Sequence, residues 1–115
     1  APAVGPYSAV TEANGFVFFS GQMGYDRTLG ELVLGDVATE ARLIMSNIEA
    51  MLGELGLAWV NVAKTTIFLA DMADFGTVNE IYGAAVGDSK PARSTVEVAA
   101  LPLGARVEIE LIAAR

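Results

Sequence analysis

Residues 36–56 constrain the chain more than any other stretch. Val37, Ala41, Ile44, Ile48, Met51, Leu52 and Leu55 recur at spacings of three and four, the period at which side chains share one helix face. Asp36 stands where a carboxylate can accept from the unsatisfied N–H groups of a first turn, and Gly56 stands where a helix stops. A long amphipathic helix needs a cover for its apolar stripe, and the flanking residues say what that cover is. Trp59–Leu69 is apolar and β-branched, which predicts a buried strand. Ala9–Thr11 and Phe16–Ser20 predict two strands around Ala13-Asn14-Gly15, a turn whose Asn and Gly tolerate positive φ. Gly21–Gly35 carries four glycines and reads as mostly loop.

Asp71 or Asp74 opens a second helix, with Phe75, Val78, Ile81, Tyr82 and Ala85 on one face and Gly87 at its end. Two final strands, Arg93–Val98 and Arg106–Ala113, flank Leu101-Pro102-Leu103-Gly104. The order β-β-α-β-α-β-β predicts an α+β fold with two helices on one face of a mixed sheet.

Composition narrows the chemistry. The 115 residues fit one domain, 1–115. The 53% hydrophobic fraction, with 12 Gly besides, exceeds the about 45–50% that soluble domains reach with Gly included, and points to a buried subunit interface. There is no Cys and no His, which removes thiolate nucleophiles, Ser-His relays and thiolate or imidazole metal sites. Proton chemistry then falls to carboxylates, Tyr, Lys or bound water, and neither metal nor cofactor is expected. A net charge of −7 opposes phosphodiester backbones and anionic lipid, so nucleic acid is not an expected partner. No apolar run approaches the ~20 residues of a membrane span, and no basic segment followed by an apolar one opens the chain. The expectation is a soluble, cytoplasmic protein.

Several residues invite a functional reading. In Arg93–Val98 a period of two sets Arg93, Thr95 and Glu97 on one side. In Arg106–Ile112 it sets Glu108 and Glu110 opposite Val107, Ile109 and Leu111. Consecutive strands commonly pair, so Arg93 and these carboxylates are expected to share a surface, either as a solvated face of cross-strand ion pairs or as a site. In Pro91-Ala92-Arg93 the guanidinium offers a planar fork suited to a carboxylate, with pairing to Glu97, Glu108 or Glu110 as the alternative. Ser20-Gly21-Gln22 brings a hydroxyl and a backbone N–H that a ligand can approach, or simply ends a strand. Gly5-Pro6-Tyr7 is a bend with a Tyr. Asn79 and Tyr82 lie three apart on the second helix, with Tyr82 on its apolar face. The segment GQMGYDRTLG has neither the Lys-Ser/Thr pair of a phosphate loop nor dinucleotide spacing.

Taken in order, GPYS, FVFFSGQ, KTTIFLADMADFGTVNEIY and PARSTVEVAALPLGARVEIELIA resemble the RidA (YjgF/YER057c/UK114) family of reactive intermediate deaminases, over nearly the whole chain. The resemblance implies a fold like that of Bacillus-type chorismate mutase and a homotrimer whose sheets form a central barrel, with ligand clefts between subunits. It implies cofactor-independent hydrolysis of enamines and imines such as 2-aminoacrylate to 2-keto acids and ammonia. By motif position, Arg93 would grip the substrate carboxylate and Glu108 would position or activate water. Tyr7, Ser20 and Gly21 would line the pocket, and Asn79 is a further candidate. Gly24 and Tyr25 stand where many members have a Pro-containing turn, Ala100 replaces a frequent basic residue, and Thr95 takes a position that is Cys in some members. The other reading of the same residues is a non-catalytic trimer that binds small carboxylates or regulates a partner. It would keep Arg93 but has no need of a carboxylate at 108.

Overall fold

The computed structural model describes residues 2, 3 and 5–115. Strand β1 (Val10–Ala13) turns at Asn14-Gly15 into β2 (Phe16–Gln22), pairing antiparallel from Val10↔Phe19 to Ala13↔Phe16. Both turn residues are left-handed, at φ 52° and 79°, as a tight hairpin turn that matches the strand twist requires. The segment expected to be mostly loop holds a two-rung ladder, β3 (Tyr25–Asp26) against β4 (Glu31–Leu32). Strands of two residues are too short to show an alternation in sequence. Their turn is held by Asp26, whose carboxylate accepts from Thr28 N and Leu29 N at 2.9 and 3.0 Å.

Helix α1 (Val37–Glu54) begins at Asp36, which accepts from Thr39 N at 3.0 Å, and ends just before Gly56. Trp59–Asn61 is a single 3₁₀ turn rather than the start of a strand, because the Asn61 side chain accepts from Ala58 N at 3.0 Å and curls the backbone. Strand β5 (Val62–Leu69) follows. Asp71 caps a short 3₁₀ turn, Met72–Asp74, that runs into α2 (Phe75–Val86), so the two candidate starts are one after the other. The last strands are β6 (Ala92–Glu97) and β7 (Val107–Ala114).

The sheet order is β1-β2-β7-β5-β6. The expectation that the last two strands are neighbours fails. Helix α2 carries the chain back so that β6 pairs parallel with β5, as a crossover connection allows, and takes the sheet edge. Strand β7 enters between β2 and β5, antiparallel to both. Its alternation explains the central place, since Val107, Ile109, Leu111 and Ala113 are all buried.

Both helices cover one face of this sheet. Ala41, Ile44, Ile48 and Leu52 of α1, with Val78, Tyr82 and Val86 of α2, close over Val17, Phe19, Ile67, Leu69, Ile109 and Leu111. The alternate residues face the other way, where Phe16, Phe18 and Val96 remain 46, 40 and 42% exposed. One charge lies inside: Glu40 is fully buried, its two carboxylate oxygens accepting from Gly35 N and Arg106 N, each at 2.8 Å. That pair of bonds fastens the approach to α1 to the start of β7, two residues before Glu108.

Candidate active site

The candidate residues gather in two groups. The first lies on the uncovered face at the end of β2. Phe19 pairs with Leu111 and Gln22 with Ile109, so β2 carries one residue more than β7 across this step and bulges at Ser20-Gly21. Phe19 and Gln22 are both buried, and the two bulged residues stand between them. The Ser20 hydroxyl donates to Ser8 O at 2.6 Å, and Ser20 N donates to Ala9 O at 2.9 Å, which ties the N-terminal segment carrying Tyr7 against the strand. Tyr7 N reaches back to Gly5 O at 2.8 Å around Pro6. Tyr7, Ser20 and Gly21 thereby line one cavity of about 210 Å³.

Glu108 lies against Gly21. A Cβ at position 21 would sit 2.7 Å from the Glu108 carboxyl carbon and 2.9 Å from Oε1, so glycine is what lets the carboxylate lie over this strand. Burial raises the Glu108 pKa above the ordinary carboxylate value, and the neighbouring charge of Glu110 raises it further. A carboxylate with a raised pKa is a stronger base once ionised.

The second group is on the helix-covered face. Arg93 is in register with Thr65, and its Nη1 donates to Asn79 Oδ1 at 2.8 Å. Its guanidinium carbon lies 5.0 Å from the centre of the Tyr82 ring and 5.7 Å from that of Phe75, within cation–π range. Tyr82 is itself held by a 2.8 Å hydrogen bond between its hydroxyl and that of Thr65. The fork is thus oriented by an amide and two aromatic faces. Pairing with Glu97, Glu108 or Glu110 does not occur: Glu97 accepts from Met72 N at 2.6 Å, and the ion pairs among the described residues are Arg27–Glu54, Arg106–Asp74 and Arg115–Glu12.

Arg93 and Glu108 therefore do not share a surface within one chain. On β5, Thr65, Ile67 and Leu69 point to the helices, and Phe68 points away. Arg93 pairs with Thr65, and Glu108 pairs with Phe68, so the two project from opposite faces.

The sequence model of the endoribonuclease L-PSP family matches residues 1–115. The chain belongs to the endoribonuclease L-PSP family, the RidA/YjgF group. Among the members it resembles is the 2-iminobutanoate/2-iminopropanoate deaminase of Mus musculus, 50% identical over 111 residues that span 96% of this chain and 82% of the mouse protein. The family fold is shared with RidA from an Antarctic Psychrobacter, at a TM-score of 0.91 and 38% identity over 99% of this chain and 92% of that one. It is shared too with E. coli TdcF carrying bound serine, at 0.89 and 38% over 98% and 91%.

One feature near the candidate residues escaped sequence reasoning: Glu40 falls four residues before Ile44 on the apolar stripe of α1, and a charge on that stripe is the signal that marks it. Thr95, which the alternation already set on the same side of β6 as Arg93, has a buried hydroxyl with no hydrogen-bond partner. Among the described residues no cluster of His, Cys, Asp and Glu could hold a metal ion, and no helix is long and apolar enough to cross a membrane.

Proposed function

We propose that this protein hydrolyses 2-imino acids, and the enamines that tautomerise to them, to 2-keto acids and ammonia, in clefts formed between copies of the chain in a homotrimer. The observation that carries the reading is Glu108, half-buried against Gly21 with its pKa raised, where Gly21 in turn lines a cavity together with Tyr7 and Ser20. A module that only bound small carboxylates would gain nothing from an acidic group there, because it repels the guest.

The chemistry asks for three things. Arg93 anchors the substrate carboxylate through its fork, already oriented by Asn79 and Tyr82. Water attacks the imine carbon while Glu108 takes its proton and passes it to nitrogen, giving a carbinolamine. Glu108 then takes the carbinolamine hydroxyl proton and gives it to nitrogen, so that the C–N bond breaks, ammonia leaves and the carbonyl forms. The reaction consumes one water, and every proton is returned. Tyr7 supplies a hydroxyl for the departing nitrogen or the carboxylate, and the Ser20 oxygen, its proton held by Ser8 O, can accept from that nitrogen. No step draws on a metal or cofactor. Because such imines hydrolyse without help, orientation and charge complementarity need supply only a modest lowering of the barrier.

The opposed placement of Arg93 and Glu108 supports an assembly of copies, and the homotrimer is the assembly that the family resemblance implies. A substrate held by one can meet the other only if a second copy brings it, and the uncovered face with Phe16, Phe18 and Val96 offers an apolar surface for that contact. Cleavage of RNA, which the family description names, is the weaker reading for a chain of net charge −7 with no His. The test is a coupled assay in which 2-aminoacrylate is generated enzymatically and keto acid and ammonia are followed with and without the protein. Acceleration is the expected result. A rate equal to the uncatalysed one overturns the reading. Solution mass at micromolar concentration should be three times that of the chain.

A further inference from the structure

The cavity beside Glu108 has two kinds of wall. Ser20 and Gly21 make its polar edge, next to the carboxylate, while Met23, Leu32, Leu103 and the rings of Tyr7 and Tyr25 supply most of the rest. Among the described residues no charged side chain lines it. Its volume of about 210 Å³ equals about seven water-sized groups at about 30 Å³ each, room for the four heavy atoms of a leucine or methionine side chain. A methyl group would leave most of it empty.

Leu103 supplies a second, independent observation. It is 72% exposed, and its backbone is left-handed at φ 58° and ψ 20°, a region that a γ-branched residue enters only against steric cost. Pro102 before it and Gly104 after it, itself at φ 74°, shape the turn that holds it there. A large apolar side chain set at the cavity rim in a strained conformation and left facing solvent is costly unless something apolar covers it.

We infer that this cavity is the substrate side-chain pocket, and that the protein prefers 2-imino acids with aliphatic side chains of leucine or methionine size over the three-carbon imine and over acidic ones. The inference rests on the deaminase reading, because Arg93 and Glu108 fix the carboxylate and imine carbon and leave the side chain to the cavity. An apolar wall rewards each added methylene, by about threefold to fourfold when it is fully buried. An acidic side chain would lose its hydration with no cation to receive it.

The test is a series of imines released in situ by an amino-acid oxidase from alanine, 2-aminobutyrate, leucine, methionine and glutamate. Calorimetry of the matching 2-keto acids accompanies it. For the wild-type protein kcat/KM should rise at least about tenfold from the alanine-derived to the leucine-derived imine, with the glutamate-derived imine lowest. Leu103→Lys should lower the leucine-to-alanine ratio several-fold, and Leu103→Met should preserve it. General damage to the fold would lower both rates together and leave the ratio alone. A flat or falling series with active enzyme, or a ratio unchanged in Leu103→Lys, overturns the pocket and leaves the deaminase reading standing. If no imine is hydrolysed but 4-methyl-2-oxopentanoate still binds about tenfold more tightly than pyruvate, the deaminase reading falls and the pocket stands.

Discussion

The two faces of the sheet solve different problems. On the helix-covered face Arg93 sits against Asn79, Tyr82 and Phe75, partners that fix the direction of its fork. On the uncovered face Glu108 lies over Gly21, burial raises its pKa, and a cavity opens beside it. An anchor benefits from a rigid surround, because binding then costs little side-chain entropy. A base that must meet water and a changing substrate needs an accessible surface. On the proposed function each face carries half of a site, and a second copy has to bring the halves together.

The largest expected effect is on the open face. Glu108→Gln keeps the shape and removes the proton acceptor, so kcat should fall by about 10²–10⁴. Affinity for a stable 2-keto acid should hold or improve slightly, because one negative charge near the anion is gone. Turnover in the coupled assay beside calorimetry checks this. Full turnover would move the base role to Glu110, which faces the same way.

Next comes the covered face. Arg93→Ala should lose about 2–4 kcal/mol of transition-state binding, roughly 30-fold to 1000-fold in kcat/KM, and unlike Glu108→Gln it should weaken keto-acid binding as well. Arg93→Lys should recover only part, since an ammonium keeps the charge without the fork. Equal losses of binding in the two variants would erase the distinction between anchor and base.

Mixing the two variants tests the geometry itself. Arg93→Ala and Glu108→Gln chains refolded together should regain about a quarter of wild-type activity, because random assembly pairs an intact Arg93 with an intact Glu108 in one cleft in four. No recovery would mean that both groups serve one substrate from the same chain.

The smallest effect is on pH. Glu108 must be ionised to act, so the acid limb of kcat/KM, which reports the free protein, should lie above the ordinary carboxylate pKa of about 4.3. Glu110→Gln removes a charge that raises the Glu108 pKa and should move that limb to lower pH. The sign for stability is opposite. Burial favours protonated Glu108, so its contribution to folding is full below the unfolded carboxylate pKa and is lost as pH rises through the raised one. Rate–pH profiles and denaturant midpoints across the same range read the two effects separately.

Much of this was legible without the fold. The apolar period of α1 with its Asp36 cap, the Asn14-Gly15 turn, and the alternation of β7 are local patterns. They came out within a few residues of their expected bounds because hydrogen bonds and turn sterics act between neighbours in the chain. The motif residues Tyr7, Ser20 and Gly21, from two separate stretches of the chain, lie along one cavity. Elements whose bonds come from side chains rather than period were missed, such as the 3₁₀ turn at Trp59 and the Asp26 loop.

What alternation could not supply is the relation between one strand and the next. A period of two settles which side chains share a face within β6 and within β7. Whether Arg93 and Glu108 face together depends on the rungs they occupy on β5, and those come from hydrogen bonds between residues far apart in sequence. Once β6 pairs Arg93 with Thr65, and β7 pairs Glu108 with Phe68, the odd and even positions of β5 send the two groups to opposite sides. The candidate residues could be named from the sequence; their division between two faces was decided only when the sheet formed.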